Sequence, residues 1–387
     1  MSLSKTLHTQ FALKRKTFLG AGPMSPISVQ AVCNLANKYK MPVALIPSRR
    51  QVEAASLGGG YVNGWSTEEF VSFVRKLDKG SFVKLSRDHS GPWQYKQESV
   101  NGEKLTYSQA MSEVKESLST DLKLGFDLIH IDPSLGLNFD RTQLQVEEDI
   151  IELLDFCASR MIAPCEFEIG ADEQSTMPEL VSVAEEKLSR VLSTIKVEGL
   201  PNPLFYVLQT GTKVMESRNI GSFDSKLPVS GLLPASVQLP EIIRMCESHG
   251  ILIKEHNADY LSDMALKWHP RFGIHAANVA PEFGVTETRA LLQAAKENGE
   301  TKFIEEFSGI VLDGGRWKKW MLNNSQASDY QKVEIGGHYH FSDEKFVELR
   351  KRLEQDLSKK SINLNERVTE SVSNSIDRYL RWFNYGE

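Results

Sequence analysis

Ser81-Phe-Val-Lys-Leu-Ser-Arg-Asp-His-Ser-Gly-Pro-Trp93 is the stretch from which the fold of this chain can be read. Phe82, Val83 and Leu85 form a short apolar run of the kind that fits a strand covered on both faces. Arg87, Asp88 and His89 follow, and Ser90-Gly91-Pro92 closes the run, because neither a helix nor a central strand continues through it. An acid beside an imidazole at the C-terminal end of a parallel strand is where barrel enzymes place their chemistry. Neighbouring strand residues point to opposite faces, so Asp88 and His89 can both look inward only if the strand has ended there. The plainer alternative is an Asx turn with a surface histidine.

Similar runs lie on both sides of this one. They are Lys16–Gly20, Pro42–Pro47, Leu128–Pro133, Cys165–Gly170, Leu204–Leu208, Ile251–His256 and Gly273–Val279. Segments of helical spacing separate most of them: Ile27–Tyr39, Ser108–Leu124, Gln145–Arg160, Glu179–Ile195 and Leu239–His249. Ser66 with Glu69 reads as a capping box opening another helix. Strands that alternate with helices must be parallel, and eight such units close into a barrel. The alternative, an open doubly wound sheet, lacks its G-x-G-x-x-G turn here. Gly58-Gly59-Gly60 reads as a turn that lets backbone approach the barrel mouth. Past Gly299 the rhythm changes, with amphipathic helices expected over Ser342–Ser358 and Asn363–Phe383. The expected architecture is a (β/α)8 TIM barrel over residues 1–299 and a helical extension packed on it over residues 300–387.

The net charge of −6 offers no basic field for a nucleic-acid backbone. No apolar run approaches the ~20 residues of a membrane span, and no apolar leader opens the chain. Cys33, Cys157, Cys165 and Cys246 are scattered in apolar surroundings, which suits reduced thiols and a cytoplasmic location.

In a barrel the C-terminal strand ends share one mouth. Asp88, His89, Asp132, Ser134, Glu168, Gln209, His256 and Asn278 all fall there. Two imidazoles and a carboxylate on three strands, His89, His256 and Glu168, make a candidate divalent-metal site, with zinc as the first choice. Asp88 is then the acid/base, with Asp132 beside it. His130, between Ile129 and Ile131, reads as a satisfied core histidine. Arg49 and Arg50 after the second strand, and Arg87 beside Asp88, are candidates to grip a phosphate or carboxylate. Ser134, Gln209 and Asn278 are further candidate substrate contacts.

These residues resemble a family. Asp88-His89-Ser-Gly-Pro92 is similar to the Asp-His-Leu-Gly-Pro of class II tagatose-bisphosphate aldolase accessory (non-catalytic, large) subunits. His130-Ile-Asp132 is similar to their His-Leu-Asp, and His256-Asn-Ala-Asp259-Tyr260 to their His-Ser-Thr-Asp-Tyr. Gly59-Gly-Tyr61 and His338-Tyr-His-Phe341 extend the likeness along the chain. The resemblance implies an aldolase-type TIM barrel acting in carbohydrate metabolism. The class II aldolases themselves are matched more distantly: Asp88-His89 as acid/base and zinc ligand, Glu166 to Gly170 as a Glu-x-Glu-x-Gly strand, and His256 as the late zinc ligand. Their sixth-strand histidine has no counterpart in Gln209-Thr-Gly-Thr212, and their glycine-rich phosphate loop is replaced around His256 to Asp259.

Two functions follow from this. One is metal-assisted aldol cleavage or epimerisation of a sugar phosphate. The other is a non-catalytic barrel that stabilises a separate catalytic aldolase chain. A homo-oligomer is open under either, and neither nucleic acid nor membrane is an expected partner.

Overall fold

A computed structural model describes residues 3–98, 102–170, 176–178, 180–224 and 235–386. Eight parallel strands close into a barrel: β1 (Phe18–Ala21), β2 (Val43–Leu45), β3 (Val83–Ser90), β4 (Leu128–Ile131), β5 (Glu166–Gly170), β6 (Phe205–Val207), β7 (Leu252–Glu255) and β8 (Ala276–Val279). Each strand pairs with its neighbours in chain order, and β8 returns to β1. Strands buried on both faces can be continuously apolar. Accordingly β1, β2 and β4 have every residue buried.

The crossover helices are α1 (Pro26–Tyr39), α2 (Thr67–Leu77), α3 (Tyr107–Leu124), α4 (Gln143–Ala158), α5 (Val181–Glu198), α6 (Ala235–Ser248), α7 (Asp263–Phe272) and α8 (Pro281–Glu297). Ser66 and Glu69 form the expected capping box on α2, and Thr106 with Gln109 and Thr142 with Gln145 do the same on α3 and α4. Such caps satisfy amide groups that the first helical turn leaves unpaired. Glu179, the expected start of α5, lies outside the described residues. Helix α7 has no counterpart in the sequence reading, since Asp263 to Phe272 is short and carries Pro270.

Beyond α8 come α9 (Thr301–Gly314), α10 (Asp329–Gly336), α11 (Glu344–Lys359) and α12 (Leu364–Trp382). Phe303, Phe307, Val311, Phe346, Leu349 and Leu353 build a second apolar core against Leu291 and Ala295 of α8. The end of α12 belongs instead to the barrel core, through Val372, Ile376, Tyr379, Leu380 and Phe383. The Tyr385 hydroxyl accepts from the Leu19 amide (3.1 Å) and donates to the Pro42 carbonyl (2.9 Å), tying the chain's end to the sheet. No described helix is long and apolar enough to cross a membrane. Cys33, Cys157 and Cys246 are buried as free thiols, with Cys165 half-buried.

Candidate metal centre

β3 does not end before Asp88; it runs to Ser90, and its pairing with β4 slips between Arg87 and Ser90. His89 sits at the slip with φ +49°, a left-handed conformation uncommon for a residue with a side chain. A bulge adds a residue to one strand and re-aims the side chains beside it. This bulge turns the neighbours Asp88 and His89 toward the same mouth. Gly91 follows immediately, and a Cβ there would lie 1.8 Å from the Asp132 carbonyl oxygen. A glycine at 91 is therefore what lets β3 and β4 close at this level. Gly91→Ala is expected to cost about 1–3 kcal/mol of stability, the usual price of overpacking, measured by urea unfolding.

Around the Asp88 carboxylate stand three imidazoles. His89 Nε2 is 3.6 Å from it, His130 Nδ1 3.6 Å and His256 Nε2 3.7 Å. The ring centroids form a nearly equilateral triangle, with sides of 5.3, 5.1 and 5.1 Å. Two of the rings are fixed from behind. His89 Nδ1 lies 2.7 Å from Asp132 Oδ2, and His130 Nε2 lies 2.9 Å from the Gly170 carbonyl oxygen, to which it donates. In neutral imidazoles those donations leave His89 Nε2 and His130 Nδ1 as the acceptors facing inward, and His130 Nδ1 accepts from the His89 amide at 3.3 Å. This is how carboxylate and carbonyl partners orient metal-binding histidines. His256 Nε2 is buried and has no hydrogen-bond partner. A buried nitrogen aimed without a partner at two others is poorly explained as core filling and fits a cation. The four side chains Asp88, His89, His130 and His256 thus form a group able to hold a divalent metal ion.

The charges agree with this geometry. Burial pushes the Asp88 carboxyl up, but His89, His256 and His130 outweigh it and hold Asp88 well below the usual carboxylate range. Burial also pushes Asp132 up, and its hydrogen bond and attraction to His89 bring it below that range. Burial drives His256 well below an ordinary imidazole, keeping it neutral as a ligand must be. Burial also pushes His130 down, but Asp88, Glu168 and Asp132 raise it above its ordinary value, so a cation binding there displaces a proton.

Several expected site residues stand elsewhere. Glu168 borders the cluster, its Oε1 3.7 Å from His130 Nδ1 and 4.0 Å from His256 Nε2, but it is engaged by a cation. Both its oxygens accept from Lys254 Nζ (3.0 and 2.8 Å) in a buried pair beneath the three rings. His130 is buried with both ring nitrogens hydrogen-bonded, as expected of a core histidine, and it also stands beside the other two imidazoles. Strand parity carried the signal: His130 lies two residues before Asp132, on the same face, and pairs in register with Glu168. Lys254, two residues before His256, has the same parity.

Asp132 has both oxygens engaged. Its Oδ1 accepts from the Ser134 hydroxyl (2.5 Å), and its Oδ2 meets His89 Nδ1 and Gln94 Nε2 (2.8 Å), so it positions His89. Ser134 positions Asp132 in turn. Gln209 spends its oxygen on the amides of Gly211 and Thr212. Asn278 Nδ2 reaches Asp88 Oδ1 at 3.4 Å, holding the acid from the far side of the mouth.

Arg87 faces away from the mouth, as parity with Asp88 requires. It is wholly buried, with Nε and Nη2 on Asp121 (2.8 and 2.7 Å), Nη2 also on the Thr67 hydroxyl, and Nη1 on the Val52 carbonyl. Arg49 is buried against Glu53 (2.6 Å) and the Gly91 carbonyl. Only Arg50 of the three arginines is exposed, with Nε on the Gln94 carbonyl (2.9 Å). A cavity of about 220 Å³ opens beside Asp132, Ser134 and Gln209, walled by Ile169, Leu188 and Tyr206.

No protein-family model matches the chain, and no curated protein matches it. Its fold matches solved structures at low sequence identity. A probable tagatose 6-phosphate kinase from Sinorhizobium meliloti superposes with a TM-score of 0.75 at 15% identity, covering 95% of this chain and 100% of that one. A fructose-bisphosphate aldolase from Campylobacter jejuni gives 0.59 at 11%, covering 99% and 95%. A fructuronate-tagaturonate epimerase from Cohnella laeviribosi gives 0.57 at 10%, covering 95% and 81%. The chain therefore has the (β/α)8 barrel fold of these proteins, with a helical extension.

Proposed function

We propose that this chain is a metal-dependent enzyme of carbohydrate metabolism that cleaves or epimerises a sugar phosphate. The observation that carries the reading is the triangle of His89, His130 and His256 around Asp88, with two rings already fixed from behind. His89, His130 and His256 would hold the ion, and a set of imidazole donors suits zinc. A cation held there supplies Lewis-acid polarisation of a substrate carbonyl. Asp88, kept ionised, accepts a proton from the substrate hydroxyl in aldol cleavage, or from the carbon beside the carbonyl in epimerisation. Asn278 holds the carboxylate in place, and Asp132 with Ser134 and Gln94 holds His89. The cavity beside Asp132 gives room for the rest of a small sugar. The aldolase and the epimerase that share this fold support that reaction class.

The non-catalytic alternative is not favoured, because a relict mouth needs no fixed rings and no unpartnered His256 nitrogen. Residues 300–387 we treat as an extension that shares the barrel's core, given that α12 enters it. Free thiols at all four cysteines support the cytoplasm as its place.

Metal analysis and a substrate panel test the proposal together. Zinc-loaded wild type is expected to keep one zinc per chain through desalting, and His130→Ala to lose it. Ketose and aldose phosphates assayed with zinc or manganese should reveal one that is converted. His130→Ala that keeps its zinc while Glu168→Ala loses it would move the metal to the other ligand set.

A further inference from the structure

Arg50 is one of three cations gathered around the paired rings of Tyr61 and Tyr339. Arg50 comes from the loop after β2, while Arg316 and Lys319 come from the turn after α9. All three side chains reach solvent. None pairs with a carboxylate among the described residues. Arg50 donates to the Gln94 carbonyl (2.9 Å), Arg316 to the Tyr339 carbonyl (2.7 Å), and the Lys319 ammonium rests over the rings of Tyr339 (4.7 Å) and Trp320 (4.9 Å). Arg316 and Lys319 both meet Tyr339, whose ring centroid lies 5.4 Å from that of Tyr61, next to the loop that carries Arg50, and this cleft between the loop and the extension holds all three. The protein around Lys319, with the charges of Arg50 and Arg316, lowers its pKa to about 8. The same two guanidiniums act on the phenols of Tyr61 and Tyr339, whose rings touch at 5.4 Å.

The cleft is built, not incidental. Gly60 packs its backbone on Gln51, where a Cβ would lie 2.0 Å from the Gln51 carbonyl oxygen, and the Tyr61 amide donates to the Arg50 carbonyl (3.0 Å). The turn bearing Lys319 is pinned from two sides. Trp320 Nε1 donates to the Tyr339 hydroxyl (3.0 Å), and the Glu216 amide, from the loop after β6, donates to the Trp320 carbonyl (2.7 Å). The Ser342 hydroxyl donates to the Tyr61 carbonyl (2.7 Å), closing the extension onto the loop after β2. Gln94 alone separates Arg50 from Asp132, and so from His89.

We infer that Arg50, Arg316 and Lys319 form the seat for the substrate's phosphoryl group, so that the C-terminal extension completes the active site. Like charges held together in a protein of net charge −6 repel one another unless an anion balances them. Guanidinium forks with an ammonium match a phosphoryl dianion better than a single carboxylate. The assignment rests on the sugar-phosphate reading of the mouth and names the side chains that would recognise the phosphate.

The test uses inorganic phosphate titrated calorimetrically into metal-free, full-length protein, with malonate as the carboxylate counterpart. Arg50→Ala, Arg316→Ala and Lys319→Ala should each weaken phosphate binding roughly 10-fold or more, the worth of a charge-assisted hydrogen bond. Their melting temperatures should match wild type, since all three side chains are exposed. Lys318→Ala should bind phosphate normally. Three result patterns would overturn the seat: unchanged phosphate affinity in all three variants, equal weakening in Lys318→Ala, or malonate bound more tightly than phosphate through the same side chains. Turnover is not the readout. A chain that binds phosphate through these cations yet converts no sugar phosphate keeps the seat and loses the catalytic reading.

Discussion

Asp88→Asn is expected to lower turnover of the sugar-phosphate substrate by about 10²–10⁴-fold, the usual contribution of a positioned general acid/base, while zinc stays bound. Asparagine keeps the shape of the side chain and the reach of Asn278 to it, but it cannot take a proton. The three imidazoles remain, and two keep the partners behind them, Asp132 and the Gly170 carbonyl. A base embedded among His89, His130 and His256 is ionised across the neutral range because those rings hold it so. Its loss should therefore fall on kcat rather than on metal content. Steady-state kinetics beside metal analysis of the same preparation separates the two. Full turnover in Asp88→Asn would mean the proton moves elsewhere. Loss of zinc together with activity would make Asp88 a ligand.

The second large effect concerns stability. Arg87→Met is expected to cost about 3–5 kcal/mol, the range for removing one partner of a buried ion pair. Arg87 and Asp121 are both fully buried, 2.7 Å apart. Burial pushes the Asp121 carboxyl up, and Arg87 is the chief group opposing that. Without the guanidinium, Asp121 stays in the wall between β3 and α3 without its paired charge, and the Val52 carbonyl loses its donor. Arg87→Met with Asp121→Leu should recover much of the loss, because an apolar pair of similar volume often replaces a buried ion pair at little cost. Urea unfolding of the single and double variants measures this. The kinetic constants of the folded fraction should match wild type. A small stability change with a raised KM would instead put Arg87 on the substrate.

The barrel was legible because apolar runs such as Val43 to Leu45 and Leu128 to Ile131 can be strands covered on both faces. The identity of the mouth was legible through Asp88, His89 and His256. The composition of the metal centre was not, for three physical reasons. A bulge is a matter of register between two strands, and nothing in Arg87-Asp-His-Ser90 alone announces the slip. Glu168 is bound by Lys254, a partner that sits 86 residues away. Arg49 and Arg87 turned inward to Glu53 and Asp121, and local sequence does not say which guanidinium finds a buried carboxylate. Arg316 and Lys319 come beside the loop after β2 only because the extension folds back onto it, a tertiary fact with no local pattern.

Anomalous diffraction at the zinc edge, from crystals of the zinc-loaded full chain, addresses the central claim most directly. The prediction is one strong peak about 2.0–2.1 Å from each of three nitrogens, the normal zinc–imidazole distance: His89 Nε2, His130 Nδ1 and His256 Nε2. Glu168 should remain on Lys254. A crystal with no peak among these rings, or with the zinc ligated by Glu168 and His130 turned away, would contradict the account.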